Sequence, residues 1–227
     1  MLGVWLRRRL REYSNRLLLE SIQEAPTRTL LGIDVVDWER DDEKAHDAVF
    51  DVISEALLVI DRCYPTGLSS LGSLDRILVS RLPNRTGEYW AQVGAAVVNR
   101  DAVLSSDGWW VSALTIIHEA THARLGRLGI GYDAGCRDRI EGICTRREIA
   151  LARRMDGGAD GVRWLAERTH VSAPTDLELA DLRAEKYLAL MASSGVPQVI
   201  LGVLRRYNQL RRNGWRRSSR DVPPRDG

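Results

Sequence analysis

From residue 109 to residue 125 the chain reads Trp-Trp-Val-Ser-Ala-Leu-Thr-Ile-Ile-His-Glu-Ala-Thr-His-Ala-Arg-Leu. On a helical wheel these positions are apolar on most sides, and a helix of that kind is buried. Ser105, Ser106 and Asp107 stand before it and offer N-cap oxygens. The other helical stretches are one-sided. Residues 4–24 set Leu6, Leu10, Tyr13, Leu17 and Ile22 near one stripe with arginines opposite, and Pro26 ends the pattern. From Asp41, Ala45, Val49, Val52, Ile53, Ala56, Leu57 and Ile60 form an apolar face, and Tyr64-Pro65-Thr66-Gly67 stops it. The acids at 41–43 suit the positive end of that helix dipole. Residues 136–155 turn helical again through Ile140, Ile143, Cys144, Ile149, Ala150 and Leu151, until Gly157-Gly158. Further helices are expected at 162–169, 176–192 and 199–212.

Strand patterns are shorter. Residues 30–38 form one apolar, β-branched run, and 75–82 alternate before a turn at 83–87. Residues 88–93 and 95–104 then precede the buried helix, and two or three antiparallel strands are expected there. An exposed edge at this place would offer backbone groups to an extended peptide. The expected fold class is α+β, mostly helical, with a small antiparallel sheet packed before the buried helix. One domain is expected over 1–212, with an α/β lobe to residue 125 and a helical lobe from 126. Residues 213–227, rich in arginine, read as a disordered tail.

Composition narrows the class. At 227 residues, with 28% charged and 44% hydrophobic residues, the chain has enough material for one substantial core. A formal net charge of +2 makes no case for nucleic acid, and no helix-turn-helix pattern is visible. The N-terminus reaches Arg7-Arg8-Arg9 before an apolar segment of signal or membrane-span length develops. Cys63, Cys136 and Cys144 are odd in number and lack CxxC spacing, which suits reduced thiols. A cytoplasmic protein without a transmembrane segment is expected.

The chemistry lies in His118-Glu119-Ala120-Thr121-His122, an HExxH motif. Residues four apart on a helix are neighbours, about 5–6 Å apart at Cβ, so both imidazoles can reach one metal ion. Glu119, one position on, points aside and can meet a water rather than the metal. Shuffling this composition produces the spacing in roughly one sequence in a hundred. By contrast His46, near the polar start of its helix, reads as a surface residue.

A catalytic zinc takes three protein ligands and keeps a position for water. Glu141, Glu148, Asp133, Asp138, His170 and the cysteines are available. Glu141 stands 19 positions after His122, one turn into the next helix, and the glycines at 126, 129 and 131 let that helix fold back. Gly142 beside it would allow two helices to approach. Cys144 reads as a core residue, with a ligand role competing with Glu141 as an alternative.

At this point the pattern resembles the gluzincins, zinc peptidases of the thermolysin type. In that group an antiparallel sheet precedes the HExxH helix and the following helix supplies a zinc-binding Glu. The matching residues are His118 to His122, Glu141-Gly142 on the next helix, and 95–104 as the upstream strand. They span residues 75–155, roughly a third of the chain. Some gluzincins carry an acid four positions after the ligand Glu to orient an imidazole. Thr145 stands there, so Glu148 becomes the candidate for that role or for the ligand itself. The metzincins, another zincin group, need a His where this chain has Leu128, and only a version completed by Asp133 survives.

The resemblance implies a Zn²⁺ site of His118, His122 and Glu141, with Glu119 as general base and peptide or protein as substrate. Gluzincins commonly use a Tyr or His to stabilise the oxyanion, and Tyr132, His170 and Tyr187 are the candidates. Two rival readings are kept: a non-peptidase zinc amidohydrolase, and a non-catalytic binding protein that retains the scaffold. An intact Glu119 argues mildly against the last, since a pure scaffold needs no general base.

Overall fold

The computed structural model describes residues 16, 18–39, 43–82, 84–132 and 135–168, with 185, 188, 192, 198–199, 201–206 and 209 towards the C-terminus. The chain divides into two compact units, Ile22–Val171 and the pair Met1–Ser21 with Ser172–Gly227. In the second unit, residues 18–21 and 201–206 are helical, and Leu188, Leu201 and Leu204 cluster. The expected tail at 213–227 and most of the helix at 176–192 lie outside the described residues.

The larger unit contains a five-stranded sheet and six helices among its described residues. In chain order these are β1 (Thr27–Leu30), β2 (Ile33–Asp37), α1 (Glu43–Cys63), α2 (Leu68–Leu71), β3 (Arg76–Ser80), β4 (Gly87–Trp90) and β5 (Ala95–Asn99). They continue with α3 (Arg100–Val103), α4 (Gly108–Arg127), α5 (Arg137–Ala152) and α6 (Gly158–Arg168). The α+β class therefore holds, but the sheet is mixed, not antiparallel. Its order is β1-β2-β3-β5-β4. The β2–β3 and β3–β5 pairs are parallel, and only the edges β1 and β4 run antiparallel to their neighbours. The 21-residue α1 between β2 and β3 is a crossover long enough for their parallel pairing, and β3–β5 is parallel because β4 runs back at the outer edge before β5 enters between them.

Two single-strand expectations are corrected. Residues 30–38 belong to a hairpin, turned at Leu31 and Gly32, both with positive φ. Residues 95–104 stop being a strand at Asn99, whose side chain caps α3 by accepting from the Asp101 N–H. Asn99 also accepts from the Leu82 N–H and donates to the Arg85 carbonyl, which fixes the turn between β3 and β4.

The rows Val35–Ile77–Ala96 and Val79–Val98 share one sheet face. They join one core with Val49, Ile53, Leu57 and Ile60 of α1 and Leu114 and Ile117 of α4. Burying each such side chain contributes about 1.5–3 kcal/mol. A backbone hydrogen bond adds about 0.5–1.5 kcal/mol net, so burial decides which sheet face α4 covers. The helix packs against α1, α2, α3, α5, β4 and β5. Asp107 makes no side-chain cap to it, contrary to the sequence pattern.

His46 is also corrected, from surface to interior. Its Nδ1 lies 2.8 Å from Asp37 Oδ2, and Arg100 donates to both oxygens of the same carboxylate at 3.1–3.2 Å. A fully buried carboxylate requires such partners. They tie the end of β2 to α1 and to α3, the lead-in to α4.

Gly87 opens the edge strand directly under α4. A Cβ there would overlap Thr115 Cγ2 and stand 3.0 Å from the Val97 carbonyl oxygen and 3.3 Å from Glu119 Oε1. Gly87→Ala is predicted to cost about 1–3 kcal/mol by overpacking. Adding Thr115→Ser, which removes the obstructing methyl, should recover part of that loss in urea unfolding. A Gly87→Ala protein as stable as the parent would contradict the close approach.

Candidate metal centre

The site is built between α4 and α5. On α4, His118 and His122 stand one turn apart, with ring centroids 5.0 Å apart. The helix then closes in a Schellman motif: Gly129 N–H donates to Gly126, Ile130 N–H donates to Leu125, and Gly129 sits at φ 76°. A residue with a Cβ would be strained there, and this turn takes the chain off the end of α4 towards α5. On α5, Glu141, Cys144 and Glu148 occupy i, i+3 and i+7, one stripe of the helix. That stripe meets the two histidines.

The donor atoms converge. His118 Nε2 lies 3.2 Å from Glu141 Oε2, and His122 Nε2 lies 3.6 Å from Glu141 Oε1. The two Nε2 atoms are 3.2 Å apart. On the other side of the ring, His118 Nδ1 is 2.9 Å from Glu148 Oε2, and Glu148 is fully buried. Tyr132 Oη donates to Glu141 Oε1 at 2.5 Å, and its ring meets His122 edge-on at 5.4 Å. His118, His122 and Cys144 also bring ligand atoms within 4.8 Å of one another. Both Glu141 and Cys144 thus reach the imidazole pair.

Electrostatics follow from three carboxylates in a poorly hydrated place. Burial alone would lower the His118 pKa. Glu148, Glu141 and Glu119 outweigh it and raise it to about 10, an imidazolium donating from both nitrogens. Burial and the His118 charge together lower His122 to about 4, against the pull of Glu141 and Glu148. Burial would raise Glu141, but hydrogen bonds from His118 and Tyr132 and the imidazole charges hold it at about 2. Glu119 is pushed up to about 7, first by burial and then by Glu141, Glu148 and Glu88, with His118 opposing. Cys144 is raised strongly, by burial first and then by the three carboxylates. A positive charge on His118 offsets the carboxylates here, and a dication among the same Nε2 and carboxylate atoms would do so more fully. The residues present fit a divalent metal of the zinc kind, which takes nitrogen, sulfur and carboxylate donors.

Of the expected site residues, His118, Glu119, His122, Tyr132 and Glu141 are brought together. His170 and Asp133 lie outside the described residues, as does Tyr187. Glu148 sits on the far nitrogen of His118, not among the converging atoms. Gly142 has a different role from the one expected: a Cβ there would meet only Arg146 Nη1, at 3.5 Å. The tight approach is at Gly87, under Glu119, which sequence reasoning missed. Its one sequence signal is a glycine at the end of the 83–87 turn, where the next strand begins. No protein-family model, curated protein or solved structure matches this chain.

Proposed function

We propose that this chain is a zinc-dependent metallopeptidase of gluzincin type, with His118, His122 and Glu141 holding the metal. One observation carries the proposal: two Nε2 atoms and both oxygens of Glu141 meet at 3.2–3.6 Å on facing helices. Glu148 holds His118 by Nδ1, which fixes the ring with Nε2 towards the site. When bound, Zn²⁺ supplies Lewis-acid polarisation of a carbonyl and a water of lowered pKa.

The chain's own groups account for the rest of hydrolysis. Glu119, with a pKa near 7, is matched to accepting a proton from the attacking water and delivering it to the leaving amine. Its Oε1 faces Gly87, so the base is held against the edge strand. Tyr132 stands on the His122 side and donates its hydroxyl proton to Glu141 here; it would serve a developing oxyanion by exchanging that bond. β4 is the outermost strand on its side of the described sheet, paired with β5. An extended peptide added to β4 would lie beside Glu119, with main-chain bonds giving affinity. The substrate is thus a peptide or an extended protein segment. No helix among the described residues is long and apolar enough to cross a membrane. The rival, a binding protein with a closed metal site, draws on one observation, the thiol of Cys144 beside the imidazoles.

Elemental analysis of the purified chain should find one zinc, lost in His122→Ala and in Glu141→Ala. Zinc retained by Glu141→Ala would transfer the third position to another donor. Glu119→Gln should bind zinc as the parent does, while hydrolysis of peptide libraries falls by about 10²–10⁴-fold; unchanged turnover would remove Glu119 as the base. Glu148→Gln should weaken zinc binding by about 10–100-fold and still saturate, the signature of a partner to a ligand. Loss of all binding there would make Glu148 the ligand.

A further inference from the structure

Cys144 lies one turn beyond Glu141 on α5 and one turn before Glu148, on the stripe that meets His118 and His122. It is fully buried, and its Sγ is within 4.8 Å of a ring nitrogen of each histidine. Two ligands on one tetrahedral zinc, with bonds of about 2.0–2.3 Å, sit roughly 3.5 Å apart. The thiol is therefore no more than about 1.3 Å beyond that ligand-to-ligand spacing. A buried cysteine serving only as a small apolar side chain has no need to face two imidazoles and a carboxylate.

We propose that Cys144 is a fourth protein ligand of this same centre, so that its resting form is a closed set of two His, one Glu and one Cys. The inference rests on the zinc reading and adds regulation to it. Binding replaces the thiol proton with the metal, one proton leaving to solvent as the sulfur–metal bond forms. Four protein ligands leave no position for water, as in structural zinc sites. A peptide chain can then be cut only when the thiolate gives way, which would make Cys144 the latch. Thiolate also biases the site towards soft ions over magnesium or calcium.

The test is cobalt(II) substitution of the full chain, read by absorption. Tetrahedral cobalt gives visible d–d bands whatever its ligands, and a cobalt–thiolate bond adds a near-ultraviolet charge-transfer band. The parent and the Cys63→Ser/Cys136→Ser variant should both show the two features. Cys144→Ser should keep the visible bands, lose the near-ultraviolet band, and bind zinc more than about tenfold more weakly. Visible bands without the near-ultraviolet band in the parent overturn the fourth ligand and leave the zinc site standing. A near-ultraviolet band that persists in Cys144→Ser, or disappears in Cys63→Ser/Cys136→Ser, also overturns it. No binding of cobalt or zinc by the parent overturns both readings. The parent spectrum decides the matter even if Cys144→Ser fails to fold.

Discussion

The larger unit depends on one helix that must be buried on nearly every side and yet end in ionisable groups. Leu114, Ile116, Ile117, Ala120 and Ala123 of α4 are fully buried, and so is most of the residue set around them. Such a helix has no solvent face to offer its two imidazoles and Glu119. Partners must come from protein, because burying an unpaired charge costs far more than the core gains from a side chain. The partners of the two imidazoles are on α5, and this requirement fixes which stripe of α5 faces inward.

The same requirement explains why α5 looks unremarkable as an amphipathic helix. Ile140, Leu151 and Ala152 are buried, but so is Glu148, and Cys144 lies between them. A helix that turns carboxylates inward loses the plain apolar stripe that marks a core-facing helix. The charges that spoil the pattern are the ones that serve the site. Burial pushes the two nearest carboxylates the same way, and hydrogen bonds set them apart: His118 and Tyr132 keep Glu141 ionised near 2, and Glu119 is held near 7 by desolvation. Neighbouring carboxylates with separated pKa values divide into one that binds charge and one that moves protons.

A second constraint works at the opposite side of α4. The Asp37–His46–Arg100 cluster anchors the end of β2 to α1 and α3, while Gly87 lets β4 come under Thr115 and Glu119. The first holds the start of the motif helix, and the second brings an edge strand beside Glu119.

Local pattern was enough for the elements with strong periodicity or specific spacing. The apolar run at 109–125 foretold a buried helix, the spacing of α1 foretold its face and its stop before Pro65, and HExxH placed two imidazoles on one turn. The sequence also offered Glu141 as a nearby acid, because the glycine-rich loop lets the next helix fold back against α4. Strand direction was not legible, since parallel pairing depends on where α1 packs and on β4 taking the outer edge, not on the strands themselves. The burial of His46 needed Asp37 and Arg100, which are 9 and 54 positions away and meet it only in the folded core. The division of labour between Glu141 and Glu148, seven positions apart on one stripe, was equally undecided in sequence. Tertiary packing decided it by setting one carboxylate at Nε2 and the other at Nδ1 of the same ring, a difference of a few ångströms that no spacing along one helix encodes.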